Sequence, residues 1–125
     1  MTSKELNLKL IESFPEIKDV YCEETSWQDG DETGSHIIYE DVFVPFIREQ
    51  LLKGDTEVIK KIFTFIEEIL LMNSAYSNEV ISFSVLEPLI FDKYINQAQF
   101  EKSLGKHAAI TVEQIKEFYG VNRDD

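Results

Sequence analysis

The residues of this chain that are best spaced to do chemistry lie between positions 29 and 40. Three side chains with oxygen atoms alternate there, Asp29, Asp31 and Thr33, followed by a glycine and, at the twelfth position, by Glu40. This is the spacing of an EF-hand loop, in which such side chains and one backbone carbonyl bind calcium. Ser35, at the seventh position, would supply that carbonyl. The segment is therefore a candidate calcium site.

Two departures from the EF-hand pattern support a different interpretation. His36 occupies the position where a hydrophobic residue normally pairs with a second loop, and the sequence contains no second loop of this pattern. The competing interpretation is a solvated acidic loop whose glycines serve turns. The sequence favours the acidic loop, keeps calcium as the alternative, and predicts no other cofactor.

The chain offers few groups for catalysis. Its only histidines are His36 and His107, and its only thiol is Cys22. Each would need a partner to act as acid, base or nucleophile, and the sequence places none beside it. Cys22 follows Tyr21 in a predicted helix, which favours a buried and inert thiol. The sequence also lacks a glycine-rich phosphate loop and a Cys/His metal cluster, so it predicts a protein that is not an enzyme.

Negative charge is concentrated in one stretch of the chain. The sequence has 24 Asp and Glu against 12 Lys and Arg, a net charge of -12. Nine of those acids lie between Glu16 and Asp41 with Lys18 alone opposing them, which leaves the stretch at net -8. Such a field favours a basic protein partner and disfavours nucleic acid. The nine are Glu16, Asp19, Glu23, Glu24, Asp29, Asp31, Glu32, Glu40 and Asp41.

The composition is that of a folded protein and not of a disordered acidic chain. Hydrophobic residues make up 43% and aromatic residues 12% of the 125 residues, so we expect one domain over 1–125. A single cysteine cannot form an internal disulfide, which favours the cytoplasm. The longest apolar run, residues 69–72, is far too short to span a bilayer, so no membrane association is predicted.

Hydrophobic spacing and capping residues predict helices throughout. Thr2 and Glu5 have capping-box spacing and predict a first helix to about Ser13, after which Pro15 begins a second. A glycine and an aspartate at 54 and 55 mark a helix end and a new start, and the next helix is predicted over about 56–72.

Three later boundaries are less obvious in the sequence. Residues 37–44 combine β-branched and aromatic residues with a helical spacing of apolar ones; we favour helix, with Pro45 either kinking it or beginning a second piece. Asp92 is predicted to cap a further segment, and Thr111 with Gln114 to open the last helix. The prediction is an all-α domain of about seven short helices. Its tight connections suggest HEAT-like helical hairpins, although no repeat of fixed period accompanies them.

The chain resembles a family of small, acidic, all-helical bacterial proteins of uncharacterised function. The resemblance rests on Trp27, on His-Ile-Ile-Tyr-Glu-Asp-Val at 36–42, on Val-Leu-Glu at 85–87 and on Glu-Phe-Tyr-Gly at 117–120. Such proteins are similar to the immunity or antitoxin partners of competition systems. The resemblance implies a tight protein-binding surface and assigns no catalytic residue.

Together these observations predict a non-enzymatic protein that occludes a basic partner, such as a toxin, with an acidic face. Trp27 and Tyr39 are the expected anchors, although Trp27 could instead cover the core beneath the loop. A helical scaffold with no function of its own is the further alternative, and the oligomeric state is left open. The candidate partner-binding residues are Glu23, Glu24, Trp27, Asp29, Asp31, Glu32, His36, Tyr39 and Asp41.

Overall fold

The computed structural model describes residues 1–25 and 34–120, which fold into seven helices and contain no strand. The predicted all-α class is confirmed. No helix in the described ranges is long and apolar enough to cross a membrane. The helices are α1 (Ser3–Ser13), α2 (Lys18–Thr25, after a 3-10 turn at Pro15–Ile17), α3 (35–53), α4 (Thr56–Leu71), α5 (75–90), α6 (Gln97–Ser103) and α7 (Lys106–Phe118).

Helices α3 and α5 each contain a π-helical turn that ends two residues before a proline. In α3 the turn is Tyr39–Phe43 and Pro45 follows at the start of the next α-helical piece; in α5 it is Val80–Leu86, followed by Pro88. Proline lacks an N–H and crowds the carbonyl four residues earlier, and a wider turn relieves that conflict. The prediction that residues 37–44 are helical is confirmed, and Pro45 begins a second piece without ending the helix.

The local caps follow the sequence closely. Thr2 and Glu5 form the predicted capping box, with N–H to side-chain oxygen distances of 2.9 and 3.1 Å. Gly54 ends α3 in the left-handed region at φ 73°, where a side chain would be strained. Asp55 then accepts the N–H of Val58 at 3.3 Å. The start of α1, the end of α3 and the start of α4 are therefore confirmed as predicted.

The prediction for Asp92 is wrong. Asn96 caps α6, because its side-chain oxygen accepts the N–H of Gln99 at 3.0 Å. Asp92 is buried, and its Oδ2 lies 2.5 Å from Nε of Arg48 on α3. An unpaired buried carboxylate would be costly, so Arg48 compensates it and links α3 to the segment after α5.

The prediction for the start of the last helix is also wrong. Helix α7 begins at Lys106, and Glu67 of α4 supplies its cap: Oε1 accepts the N–H of His107 at 2.6 Å and Oε2 that of Ala108 at 3.2 Å. Gly105 leaves room for this carboxylate, since a Cβ there would lie 2.5 Å from Oε2. Partial burial acts to raise the pKa of Glu67, but the hydrogen bonds from His107 and Ala108 outweigh it and lower the pKa overall. Thr111 lies inside the helix and bonds back to the His107 carbonyl.

The helices form one bundle around an aromatic core. The rings of Phe14, Phe43 and Phe65 meet in pairs at 5.4–5.6 Å, joining α1, α3 and α4. The hydroxyls of Ser3 and Tyr76, 2.6 Å apart, link α1 to α5. A solenoid of hairpins contacts only neighbouring repeats, so this long-range contact does not match the HEAT-like arrangement.

Candidate functional site

The described part of the acidic stretch forms one surface, which we name the acidic face. Pro15 starts the 3-10 turn, and the inward packing of Ile17 and Tyr21 turns the acids of α2 outward. Helix α2 packs against the π-helical turn of α3, which contributes two further acids. Lys18 is the one cation in these two described segments. The acidic face consists of Glu16, Asp19, Glu23, Glu24, Glu40 and Asp41, all exposed except the half-buried Glu24.

Most of this charge is not neutralised within the described residues. Glu16, Asp19, Glu24, Glu40 and Asp41 form no ion pair with a described cation. Ion pairs are made instead by acids elsewhere on the molecule, such as Glu49 with Lys53, Glu67 with His107 and Glu101 with Lys116. The acidic face therefore presents its negative field to solvent.

A groove of about 470 Å³ opens at the edge of this face, between α2, α3 and the start of α4. Val20, which is 46% exposed, and the exposed Pro45 line it above buried apolar side chains. Glu16, Glu49 and Asp55 stand around it together with Lys53, which pairs with Glu49 at 2.9 Å and leaves the rim net negative. We name it the acidic groove. A groove with apolar walls and a negative rim has the chemistry to receive an apolar side chain with a lysine or arginine beside it.

Tyr39 does not belong to this surface. Its side chain is fully buried, its hydroxyl donates to the Leu6 carbonyl at 2.7 Å, and its ring meets Phe43 edge-on at 5.7 Å. Burial raises the pKa of Tyr39, so the hydroxyl stays protonated as a donor. The prediction that Tyr39 anchors a partner is wrong; this tyrosine fastens α1 to α3.

His36 has a partner that the sequence did not reveal. Its Nδ1 lies 2.7 Å from Oγ of Ser84 on α5, and its ring stands edge-on to Tyr76 at 5.8 Å. His36 is exposed, as a partner-binding residue should be, but Ser84 is only 4% exposed. The Ser84 hydroxyl, which His36 could otherwise activate as a nucleophile, is therefore hardly accessible to a substrate carbonyl. The contact joins the first turn of α3 to the π-helical turn of α5.

The calcium pattern is only partly within the described residues. Asp29, Asp31 and Thr33 lie outside them, as do Trp27 and Glu32. Ser35, by contrast, is buried at the start of α3; its hydroxyl donates to Asn7 at 2.8 Å, and its carbonyl accepts the N–H of Tyr39. The last six positions of the pattern, 35–40, are thus helical and not a loop. Within 1–25 and 34–120 no three His, Cys, Asp or Glu residues are grouped to hold a metal ion.

Cys22 is exposed, so the prediction of a buried thiol is wrong. Its neighbours Tyr21 and Thr25 take the buried positions of α2. A residue directly after a buried one is turned about 100° around a helix, which places Cys22 outside. The thiol lies on the same helix as the acidic face and is accessible from solvent.

Sequence reasoning missed the apolar part of the acidic groove. Val20 has helical spacing to Ile17 and Tyr21, which by itself predicts burial, and Pro45 was interpreted only through its effect on the backbone. A signal was present, because Val20 lies between Glu16, Asp19 and Glu23 at helical spacings of one to four residues. An apolar residue within an acidic helical face is a candidate contact residue.

The fold and the site define a small all-α domain with an exposed acidic face and an apolar groove at its edge. The chain belongs to the DUF7674 family, a domain of unknown function, whose model matches residues 7–120. No curated protein and no solved structure matches the chain.

Proposed function

We propose that this protein is a non-enzymatic binding protein that occludes a basic site on a partner protein with its acidic face and acidic groove. The observation that carries this proposal is the position of apolar Val20 and Pro45 at the edge of the acidic face, next to Glu16, which forms no ion pair with a described cation. A charged face without apolar contacts would steer a partner but hold it weakly.

The two parts of the site have separate roles in binding. The carboxylates raise the rate of encounter with a cationic surface, an effect that salt screens. The groove excludes water around an inserted side chain and slows dissociation, because affinity depends mainly on a few desolvated contacts. Nucleic acid is disfavoured as a partner, since its phosphates would be repelled by the same carboxylates.

The kind of partner that we propose is a toxin, with this protein as its cytoplasmic immunity or antitoxin protein. The support is the resemblance of the sequence to small acidic helical proteins of that type, together with the charge of the site. An inhibitor of this kind needs only a surface that covers the partner's basic site. It needs no catalytic group of its own.

The test begins with the full chain as bait for proteins from the source cells and their medium, identified by mass spectrometry. Association of the recovered partner is then measured across salt concentrations for wild type and for Glu16→Lys/Asp19→Lys. A matched control, Glu57→Lys/Glu68→Lys on α4, makes the same change in net charge at exposed positions elsewhere. We expect the first variant to associate about tenfold more slowly at low salt and the control to stay within about twofold.

Equal slowing by the two variants would contradict a local role for the acidic face. A second variant, Val20→Ser, tests the groove, because it removes exposed apolar surface without changing charge. We expect it to raise the dissociation rate several-fold and leave the salt dependence of association unchanged. If it alters neither rate, the groove takes no part in binding.

A further inference from the structure

A second groove runs along the surface between α5 and α7. Two adjoining cavities form it, of about 300 and 260 Å³, and both are lined by Ser82 of α5 and by Thr111 and Gln114 of α7. These three shared residues place the two cavities side by side along the surface. Along α7 its lining extends from His107 to Phe118, about 16 Å at 1.5 Å per residue.

One end of this groove is aromatic and exposed. Phe83 is 52% and Phe118 81% exposed, and Tyr119 stands beside Phe118 with ring centroids 5.1 Å apart. The hydroxyl of Tyr119 donates to Glu87 at 3.1 Å, which fixes its ring at the groove. Aromatic side chains exposed together in this way mark protein interfaces, where they carry much of the binding energy.

The other end of the groove is polar and has an unused acceptor. Asn73, Asn78 and His107 line it. The side-chain oxygen of Asn78 is buried and has no hydrogen-bond partner among the described residues. A buried acceptor without a donor costs free energy. A turn of the Asn78 side chain toward the groove would let the N–H of a bound ligand reach this oxygen and recover that cost. The groove thus offers aromatic contacts at one end and an acceptor at the other.

The charge along the two helices indicates the kind of partner. Glu79 and Glu87 of α5 and Glu117 of α7 lie outside the lining of the groove, and on these helices they are opposed only by Lys106 and Lys116. Lys116 forms an ion pair with Glu101 of α6, so its charge is already compensated. The helices that border the groove are therefore negative, and they complement a partner with basic residues beside its apolar ones.

We propose that the groove between α5 and α7 docks an amphipathic helix of a partner protein, one with an apolar stripe flanked by lysine or arginine. Its length suits a helix of about three turns, which presents apolar residues at three- and four-residue spacing. Those side chains contact Phe83 and Phe118, and a basic side chain donates to the oxygen of Asn78. This surface is separate from the acidic groove, and the proposal does not depend on the function proposed above.

The probe is a synthetic 14-residue peptide with leucines at helical spacing and lysines elsewhere, labelled with fluorescein. A scrambled peptide of the same composition serves as its control. Titration of the full chain is followed by fluorescence anisotropy. We expect saturable binding of the patterned peptide, at least about tenfold weaker binding of the scrambled one, and a similar loss on Phe83→Ser or Phe118→Ser.

A matched variant separates the groove from general surface hydrophobicity. Leu52 of α3 is 62% exposed and does not line the groove, so Leu52→Ser should leave peptide affinity within about twofold of wild type. Thermal unfolding of each variant shows that its fold is retained. Asn78→Leu should also weaken binding, since it removes the acceptor.

Three outcomes would overturn the proposal. The scrambled peptide could bind as well as the patterned one, which would show attraction by charge alone. Glu16→Lys/Asp19→Lys could abolish binding while Phe118→Ser leaves it unchanged, which would place the peptide at the acidic face. Sedimentation could show a dimer that Phe118→Ser dissociates, which would make the groove an interface between two copies of this chain.

Discussion

The two grooves of this domain differ in what surrounds them. The acidic groove beside α2 has aliphatic surface, Val20 and Pro45, among carboxylates. The groove between α5 and α7 has exposed aromatic rings at one end and side-chain amides at the other. We propose that the first attracts a cationic surface from a distance and that the second holds an apolar surface of matching shape in contact.

Because their surroundings differ, the two grooves should respond differently to substitution of their residues. Charge reversal near α2 should act on the association rate and depend on salt, whereas truncation of an aromatic ring near α7 should act on dissociation. The grooves also depend on different supports within the fold. Glu67 fixes the start of α7, and Tyr39 fixes the π-helical turn of α3. Removal of either support offers a way to disturb one groove and spare the other.

The largest effect is expected from Glu67→Ala. It removes the carboxylate that accepts two N–H groups at the start of α7, where Gly105 has no side chain to replace it. Loss of a helix cap costs about 1–2 kcal/mol of unfolding free energy. Urea denaturation measures that loss, and the patterned peptide should bind more weakly because α7 forms one wall of its groove.

Glu68→Ala is the matched control for that change, since Glu68 is the exposed neighbour of Glu67 on α4. We expect it to alter the unfolding free energy by less than about 0.5 kcal/mol. If both variants lose the same stability, the cap provided by Glu67 does not hold α7 in place.

Tyr39→Phe should have the next largest effect. It keeps the ring in the core and removes only the hydroxyl that donates to Leu6, so we expect a loss of about 1 kcal/mol in unfolding free energy. Tyr94→Phe, at an exposed position, should be neutral. Peptide binding between α5 and α7 should not change. A stability equal to wild type would mean that the hydroxyl contributes nothing to the contact of α1 with α3.

A smaller effect is expected from pH. The pKa of Glu67 in the folded chain lies below its ordinary value of 4.5, so the folded state favours the charged carboxylate. That contribution is complete above the unfolded pKa and is lost as pH falls through the lower folded pKa. Because His107 pairs with this carboxylate at 2.6 Å, the comparison is made in a His107→Gln background. In that background the difference in unfolding free energy between the chain with Glu67 and the chain with Glu67→Gln should be constant near neutral pH and shrink below about pH 4.5. If the difference instead grew as the pH fell, folding would raise the pKa of Glu67 and not lower it.

The helix caps and the contacts between helices show which parts of the fold a sequence can predict. Thr2 with Glu5, and Gly54 with Asp55, act within one turn of the chain, so their residue types sufficed. Glu67 caps a helix that begins 39 residues later in the chain, and Asp92 pairs with Arg48 of another helix. No local pattern reports such contacts, because they exist only once the helices have packed.

The candidate site shows the same limit. Net charge identified the acidic stretch, since unpaired carboxylates in a folded protein lie mostly on the surface. Charge could not decide whether Tyr39 faces a partner or the core, because tyrosine is common in both places. Its burial follows from the helical face that it shares with Phe43, four residues later, which is also fully buried.

Labelling of Cys22 shows which of the two surfaces a ligand occupies, and it disturbs the protein only slightly. Because the thiol is exposed on α2, one equivalent of maleimide should react with the native chain without denaturant. A partner at the acidic face should slow this reaction severalfold, and the peptide between α5 and α7 should not. The Cys22→Ser variant, which has no thiol, is the control that should not be labelled. Protection by the peptide alone would show that the two surfaces are not separate.

The smallest effect is expected from calcium. Positions 35–40 of the EF-hand pattern are helical, and the Ser35 carbonyl already accepts a backbone N–H, so the loop geometry that calcium needs is not present there. Calorimetry at about 1 mM calcium should therefore give no saturable heat, and the melting temperature should not move. Heat of binding that disappears in Glu40→Gln, but persists in the exposed control Glu57→Gln, would contradict this expectation. The acidic stretch would then be a cation site as well as a charged face, and calcium would weaken the field that is proposed to attract a basic partner.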